Sequence, residues 1–86
     1  MKEEIQEYYV YVLYSKAFDR YYKGFNKDLQ KRLIQHNKGE TKSTKPYIPW
    51  EIVYYEKFDS KEKALAREKY LKSAAGRRFL KNVLLK

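Results

Sequence analysis

Apolar and aromatic positions fall into three short stretches of the chain, and these predict three β-strands. The first covers residues 8–14, where aromatic and β-branched side chains favour strand structure. A turn over residues 15–19 separates it from a second strand at 20–25, so the two are expected to form a hairpin. The third predicted strand covers residues 50–58.

A first helix is predicted between the second and third strands. Its N-cap is either Asn26 or Asp28, because both side chains can accept a hydrogen bond from a free backbone amide. The helix is expected to end near Asn37, with Gly39 closing it. The polar, basic segment at 40–49 contains both prolines and is predicted to be a loop.

Two more helices are predicted after the third strand. Asp59 with Glu62 resembles a capping box, which starts a helix that runs to about Lys72. Gly76 is expected to separate it from a last short helix. The apolar residues of that helix are Phe79, Leu80, Val83 and Leu84. The predicted order of elements is ββαβαα.

Length and composition limit the kind of protein this is. The 86 residues suffice for one small domain, expected over 1–86 with a core at about 8–82. The chain has no cysteine, which excludes disulfides and thiolate chemistry and fits a reducing, cytoplasmic location. No apolar run approaches the ~18 residues of a membrane helix. We therefore expect neither a membrane span nor a secretory signal.

The charge is strongly and unevenly basic. The net charge is +9, from 20 lysines and arginines against 11 acidic residues, and residues 69–86 carry no acid. Such a balance favours a polyanionic partner, nucleic acid first, although solubility alone would also explain it. The candidate contacts are Lys42, Lys45, Arg77 and Arg78.

The first predicted helix places two polar residues beside its apolar stripe. Arg32 and His36 share the stripe of Leu29 and Leu33 under the 3.6-residue period. Arg32 would ordinarily lay its stem over the core and point outward. His36, the only histidine, would ordinarily be a packed or capping residue. The alternative is that both serve a site.

The second predicted helix has a carboxylate in its apolar stripe. The stripe consists of Ala64, Leu65, Glu68 and Leu71, with Arg67 and Lys69 away from it. A carboxylate among core-facing residues is costly unless it is paired or ligated. Glu68 is therefore either half of a buried ion pair, for example with Arg32, or a ligand of Mg²⁺.

Tyrosines dominate the first hairpin. Alternation puts Tyr9 and Tyr11 on one face of the first strand, and Tyr22 and Gly24 on one face of the second. A hairpin register that sets Tyr11 near Tyr22 would bring two hydroxyls together, although cross-strand tyrosine pairs also simply stabilise sheets. Gly24 in a strand indicates that another group approaches the backbone closely.

The ordered set of these residues resembles the GIY-YIG nuclease superfamily. The likeness rests on the blocks Tyr9-Val10-Tyr11 and Tyr22-Lys23-Gly24, followed by Arg32, His36 and Glu68, and it extends from Tyr8 to about Asn82. It is greatest to small single-domain bacterial members, the excinuclease-like proteins of the UPF0213 type. The resemblance implies an α/β (α+β) fold, in which helices flank a three-stranded antiparallel sheet.

The resemblance also implies an activity and the residues that carry it. The implied function is a metal-dependent endonuclease that hydrolyses nucleic acid, DNA before RNA, in repair or recombination, with one Mg²⁺ or Mn²⁺ and a monomeric or weakly dimeric state. Tyr11, Tyr22, Arg32 and His36 match catalytic residues, Gly24 the motif glycine and Glu68 the metal-binding glutamate. Asn82 is the candidate for an asparagine that some members use.

The chain departs from the family motifs at a few positions. Tyr9-Val10 stands where the first motif has glycine and isoleucine, and Lys23 replaces the isoleucine of the second. Lys23 should point to the face opposite Tyr22, where it would affect packing, alter dimerisation or add a phosphate contact.

These residue types suit phosphodiester hydrolysis. Arg32 can fork onto phosphate oxygens, and the resemblance suggests Tyr11 as general base, assisted by His36, with Tyr22 positioning water or phosphate. A free tyrosine has a pKa of about 10, which a nearby cation would lower. The rival hypotheses are a non-catalytic nucleic-acid-binding module that kept the fold, and an interaction domain that uses its tyrosine-rich surface.

Overall fold

The computed structural model describes residues 6–84 and contains the predicted elements in the predicted order, ββαβαα. The predicted domain bounds, 1–86, extend beyond the described residues at both ends. The strands are β1 (Tyr8–Ser15), β2 (Arg20–Asn26) and β3 (Glu51–Phe58), and the helices are α1 (Leu29–Asn37), α2 (Lys61–Lys72) and α3 (Ala74–Leu84). The segment predicted as a loop contains one 3₁₀ turn, Lys45–Tyr47.

The three strands form one antiparallel sheet in the order β2-β1-β3, which confirms the expected fold. The central strand β1 pairs Tyr11 with Gly24 and Leu13 with Tyr22. Tyr11 and Tyr22 are therefore diagonal neighbours and not a directly opposed pair. Their rings still share one face of the sheet, because side chains two positions apart point the same way.

Each face of the sheet carries its own apolar cluster. Val10 and Val12 of β1 pack with Ala64, Leu71 and Leu80 from α2 and α3. The alternate β1 residues, Tyr11 and Leu13, pack on the other face with Trp50, Leu29 and Leu33, the last two from α1. Full burial of one valine or leucine contributes about 1.5–3 kcal/mol. Alternation along β1 thus places α1 and the pair α2–α3 on opposite faces.

Capping side chains set where α1 and α2 begin. The Asp28 carboxylate accepts a hydrogen bond from the Lys31 backbone at 3.0 Å and caps α1. At α2 the cap is Ser60, whose hydroxyl accepts from the Lys63 backbone at 3.1 Å. The prediction of Asp59 as the cap was wrong by one residue. Its carboxylate instead pairs with the Lys63 ammonium at 3.3 Å.

The junction of α2 and α3 lies at Ser73, and the prediction that Gly76 separates the helices was wrong. Gly76 is a buried residue inside α3. A Cβ there would overlap the backbone of Tyr70 and Leu71, so glycine permits the close approach of the two helices. None of the described helices is long and apolar enough to cross a membrane.

Candidate active site

Tyr11 lies at the centre of the candidate site. It is in the middle of the central strand and is 1% exposed. Its ring passes over Gly24 of the neighbouring strand, where a Cβ would overlap Cζ and Oη of the tyrosine. The close approach predicted at this glycine is therefore made by Tyr11 itself. Because β2 is an edge strand, the ring leans from the centre of the sheet towards that edge.

Three other predicted residues surround Tyr11. Its hydroxyl lies 3.1 Å from Nε2 of His36 and accepts a hydrogen bond from Nε of Arg32 at 3.4 Å. The Tyr22 ring lies 6.5 Å from the Tyr11 ring and 5.0 Å from the imidazole, measured between centroids. The helical stripe of α1 and one face of the hairpin thus bring two phenols, an imidazole and a guanidinium together.

We assign the tautomer of His36 from its hydrogen-bonding partners. The Thr44 hydroxyl lies 2.8 Å from Nδ1 and donates to the Thr41 carbonyl at 3.3 Å. Having used its proton there, the hydroxyl accepts from the Nδ1–H of His36. This leaves the lone pair of Nε2 facing the Tyr11 O–H. His36 is fully buried, and burial, followed by the charge of Arg32, lowers its pKa to about 4.

Thr44 belongs to the site, although the sequence analysis did not select it. It is buried in the segment after α1, and its carbonyl accepts a hydrogen bond from the Trp50 indole at 2.9 Å. The Asn37 amide holds the other side of the tryptophan, accepting from its backbone N–H at 2.6 Å and donating to its carbonyl at 3.0 Å. The loop is thereby fixed over His36.

Arg32 is half-buried and directed into the site. Its Nε donates to Tyr11, and its Nη1 donates to the Gln35 side chain at 3.1 Å. The hydrogen bond to Tyr11 is the main reason that the pKa of Arg32 is raised. The alternative of a stem that only covers the core does not describe this residue, because its head group faces the phenol.

The pKa of Tyr11 is raised, contrary to the expectation that a nearby cation would lower it. Burial, the largest cause, disfavours the phenolate. The hydrogen bond and the charge of Arg32 act in the opposite direction but are outweighed. Smaller contributions from Tyr22 and Glu68 raise the pKa further. At neutral pH Tyr11 is therefore a protonated phenol, poised to donate its proton to His36.

Glu68 lies on α2, and within residues 6–84 its carboxylate is hydrogen-bonded to Lys72 and to none of the residues around Tyr11. The helix packs on the opposite face of the sheet and also contacts the edge strand β2, over which Tyr11 leans. The effect of Glu68 on the pKa of Tyr11 places its carboxylate within electrostatic reach of the phenol. Its ion partner is Lys72, with Nζ 3.1 Å from Oε2, so the pairing with Arg32 considered from the sequence is not formed.

The stripe predicted for α2 differs in two positions. Ala64 and Leu71 are buried, but Leu65 is 41% exposed. Arg67, expected to lie away from the packed side, is half-buried and makes a bidentate ion pair with Glu56 of β3, at 2.8 and 3.0 Å. This ion pair ties α2 to the sheet and so contributes to the placement of Glu68.

The residues present fit a divalent cation of the Mg²⁺ type. The described part of the chain has no group of three or more histidine, cysteine, aspartate or glutamate residues that could hold a metal. Structural and catalytic zinc sites need three or four such ligands. Mg²⁺ is instead often bound by one or two carboxylates together with water and substrate phosphates. Glu68, whose side chain is 19% exposed, suits that mode.

The remaining predicted residues lie outside the cluster formed by Tyr11, Tyr22, Arg32 and His36. Asn82 is exposed on α3 and makes no hydrogen bond to the cluster among the described residues. Lys42 and Lys45 are exposed on the loop that carries Thr44, beside the site. Arg77 and Arg78 are exposed on α3, which packs on the face of the sheet opposite to the face that α1 covers.

Comparison with known proteins agrees with the fold. The model of the GIY-YIG catalytic domain matches residues 7–82, so the chain belongs to the GIY-YIG domain family. The matched span includes every residue of the cluster described above. Membership in this family makes a nuclease role plausible for the chain.

Individual relatives are UPF0213 proteins. One from Staphylococcus saprophyticus is 38% identical over 78 residues, covering 90% of this chain and 94% of the relative. Another, from Streptococcus pyogenes, is 45% identical over 65 residues, covering 74% of this chain and 70% of the relative. The solution structure of a UPF0213 protein from Bacillus halodurans has a TM-score of 0.55 at 32% identity, covering 93% of this chain and 85% of that one.

Proposed function

We propose that this chain is a metal-dependent endonuclease that hydrolyses phosphodiester bonds of nucleic acid, with DNA as the expected substrate. The observation that carries the proposal is the buried Tyr11 hydroxyl, which faces a neutral imidazole on one side and a guanidinium on the other. That arrangement provides a route for a proton and a positive charge for a phosphate at a single point. Family membership supports the same conclusion.

The proton route runs from water through Tyr11 to His36. Because the pKa of Tyr11 is raised, the phenol does not act by losing its proton to solvent beforehand. As the attacking water transfers a proton to the Tyr11 oxygen, Tyr11 transfers its own proton to Nε2 of His36. The imidazole becomes imidazolium, and the hydrogen bond from Nδ1 to Thr44 holds the ring in orientation.

Arg32 and Tyr22 suit the phosphate side of the reaction. A guanidinium can donate two parallel hydrogen bonds to phosphate oxygens, and charge-assisted bonds of this kind are about twice as strong as neutral ones. Such donors are most effective when aimed at charge that develops in the transition state. We assign Arg32 to the non-bridging oxygens and the half-buried Tyr22 to positioning of water or phosphate.

Glu68 is the residue that would hold Mg²⁺ or Mn²⁺. When bound, such an ion neutralises negative charge on the phosphate. The ion pair with Lys72 has to open or shift for Oε2 to become available. We keep Asn82 in the proposal as a further contributor because of the family resemblance, although it makes no hydrogen bond to the cluster among the described residues.

The charge of the chain supports a nucleic-acid substrate. The net charge of +9 and the exposed Lys42 and Lys45 beside the cluster suit a polyanion at this face. From the family resemblance we further propose that the domain acts as a monomer or weak homodimer, in repair or recombination of DNA.

A panel of labelled DNA and RNA structures, incubated with Mg²⁺ or Mn²⁺, tests the proposal. We expect cleavage of at least one DNA structure by the wild type and none by Glu68→Ala. Glu62→Ala is the matched control, because Glu62 is an exposed glutamate on the same helix. Binding without cleavage under every condition would contradict the enzyme and favour a non-catalytic nucleic-acid-binding module with the same fold.

A further inference from the structure

A cavity of about 260 Å³ lies on the face of the sheet opposite Tyr11, between α3 and the β1–β2 hairpin. Val12, Leu80 and Leu84 contribute apolar walls, and the ring of Tyr21 stands at its side. Lys23, Arg77 and Lys81 line the rest. The volume is close to the lower end of the ~300–1,000 Å³ range of small-molecule sites. Its size therefore suits one small group, such as a single nucleotide.

The charge around this cavity is unbalanced. No acidic side chain of the described residues lines it. Lys23 is half-buried, and its pKa is lowered first by burial and then by the charges of Arg77 and Lys72. Like charges close together oppose folding unless an anion compensates them. Lys72 has Glu68 as a partner, whereas no ion pair of Lys23, Arg77 or Lys81 is formed among the described residues.

The walls of the cavity suit a flat apolar ring. Tyr21 is 49% exposed, and its ring packs against Tyr14 with the centroids 4.7 Å apart, which holds it in place. Base stacking on an aromatic side chain is a common way to bind single strands, because every base has an aromatic face. A ligand that combines a phosphate with an aromatic base would match both the cations and the apolar walls.

We propose that this cavity binds one unpaired nucleotide of a nucleic-acid strand. The phosphate lies among Lys23, Arg77 and Lys81, and the base lies beside Tyr21 against Val12 and Leu80. The inference rests on the proposed function, because the partner is the same nucleic acid. It assigns a binding role to Lys23, the residue at which the chain departs from the second family motif. The bound nucleotide lies on the face away from Tyr11, so this site holds the strand and does not cut it.

Fluorescence anisotropy without added metal tests the site, using a duplex with a single-stranded arm and a blunt duplex of equal length. Lys23→Gln is expected to weaken binding of the armed duplex about tenfold and of the blunt duplex less than twofold. Lys61→Gln, an exposed lysine on α2, is the matched control and should change neither. Equal losses for both duplexes, or no loss for either, would overturn the proposal.

Tyr21 provides a second, independent variant. Tyr21→Ala should weaken binding of the armed duplex about tenfold, since base stacking on an aromatic residue is worth roughly 1–3 kcal/mol. Tyr21→Phe keeps the ring and should restore wild-type affinity. If Tyr21→Ala binds the armed duplex as the wild type does, no base occupies the cavity. Circular dichroism of each variant confirms that it is folded.

The outcomes separate this site from the nuclease proposal. Tyr11→Phe should lose cleavage and keep the preference for the armed duplex. If the wild type cuts nothing but its binding still depends on Lys23, the nucleotide-binding site is supported and the endonuclease proposal is contradicted. If cleavage occurs and the single-stranded arm does not affect binding, only the nucleotide-binding site is contradicted. Competition by a free mononucleotide as effective as the armed strand would show a small-molecule site instead, and absence of any nucleic-acid binding would overturn both.

Discussion

The hydroxyl of Tyr11 and Nε2 of His36 lie 3.1 Å apart, although 25 positions separate the two residues in the chain. Both are almost completely buried, with 1% and 0% exposure. A buried polar group is costly unless its hydrogen bonds are made. Thr44 satisfies the far side of the imidazole, and Arg32 the other side of the phenol. The pair is therefore part of a connected network that serves both the fold and the proposed chemistry.

Tyr11→Phe separates these two roles. The ring keeps its packing, but the hydroxyl that would relay the proton is lost, so cleavage should fall by at least about 100-fold, the low end of general acid–base contributions. Nε2 of His36 would lose its partner, which costs about 1–3 kcal/mol of stability. Rate measurements at saturating substrate and thermal unfolding test the two effects.

The matched control is Tyr55→Phe, because Tyr55 is 55% exposed on the same sheet. It should change neither cleavage nor the melting temperature. If Tyr11→Phe cuts at the wild-type rate, Tyr11 is not the relay, and the role of His36 must be reassigned with it.

The stability of the fold should decrease as the pH falls from about 6.5 to about 4. Burial lowers the pKa of folded His36 to about 4, below the ordinary value of 6.5, so within this window the unfolded chain binds a proton that the folded chain does not. Stability from this group is fully present above the window and is lost as the pH falls through it. The loss is at most about 3 kcal/mol. Urea unfolding at several pH values measures it.

His36→Gln should remove most of this pH dependence, even if the variant is less stable at every pH. Protonation of Glu56 also lowers the stability of the folded state in acid, because Arg67 and Tyr54 hold the pKa of its carboxyl below the ordinary value of 4.5. That loss occurs at lower pH than most of the His36 loss. An unchanged slope between pH 6.5 and 5 in His36→Gln would show that another group titrates there.

Periodic features of the sequence were sufficient to predict much of the fold and part of the site. The three-residue and four-residue spacing along α1 placed Arg32 and His36 on the stripe that faces Tyr11. Strand alternation placed Tyr22 and Gly24 on one face of β2, and Lys23 on the other face, where it lines the cavity with Val12. These inferences succeeded because one element fixes each of them without reference to the rest of the fold.

Features that depend on two elements were not predictable in the same way. Thr44 reaches His36 from an irregular loop, where no period indicates which side chain points inward. Asp59 and Ser60 are both good capping residues, and only the backbone geometry selects the serine. Gly76 was interpreted as a helix break, whereas its role is a contact between α2 and α3. The pKa of Tyr11 depends on the balance between burial, which raises it, and Arg32, which lowers it, and only the three-dimensional structure shows which effect is larger.

Gly24→Ala should displace Tyr11 and damage the site. The added Cβ would overlap Cζ and Oη of the tyrosine, and overpacking of this kind typically costs about 1–3 kcal/mol. Leucine at position 11 lacks both atoms, so Gly24→Ala should cost much less in a Tyr11→Leu background. A double-mutant cycle of unfolding free energies measures this coupling. Additive effects would show that the glycine is needed for another reason.

Affinity for nucleic acid should decrease steeply with salt, because the expected contacts join lysine and arginine to phosphate. Each of four single substitutions by glutamine should reduce the slope of log K against log salt by about one. The four exposed cations to be replaced are Lys42, Lys45, Arg77 and Arg78. Lys63→Gln is the control, since this lysine is paired with Asp59. Between 50 and 200 mM salt, a protein that makes ~6–10 phosphate contacts loses ~10³–10⁵ in affinity. An affinity that stays flat over this interval would contradict a polyanionic partner.

Lys72→Ala should strengthen the binding of Mn²⁺ in the absence of nucleic acid. The Lys72 ammonium lies 3.1 Å from Oε2 of Glu68, so an ion at that carboxylate must displace or repel it. Ion pairs four residues apart on a helix are worth roughly 0.3–0.5 kcal/mol, which predicts about a twofold gain in affinity. Titration followed by the electron paramagnetic resonance of free Mn²⁺ measures the constant. Lys69→Ala removes an exposed lysine from the same helix and tests for a general effect of charge. Equal gains in the two variants would mean that Lys72 does not compete for Glu68, and no binding in either would remove Glu68 as the metal ligand.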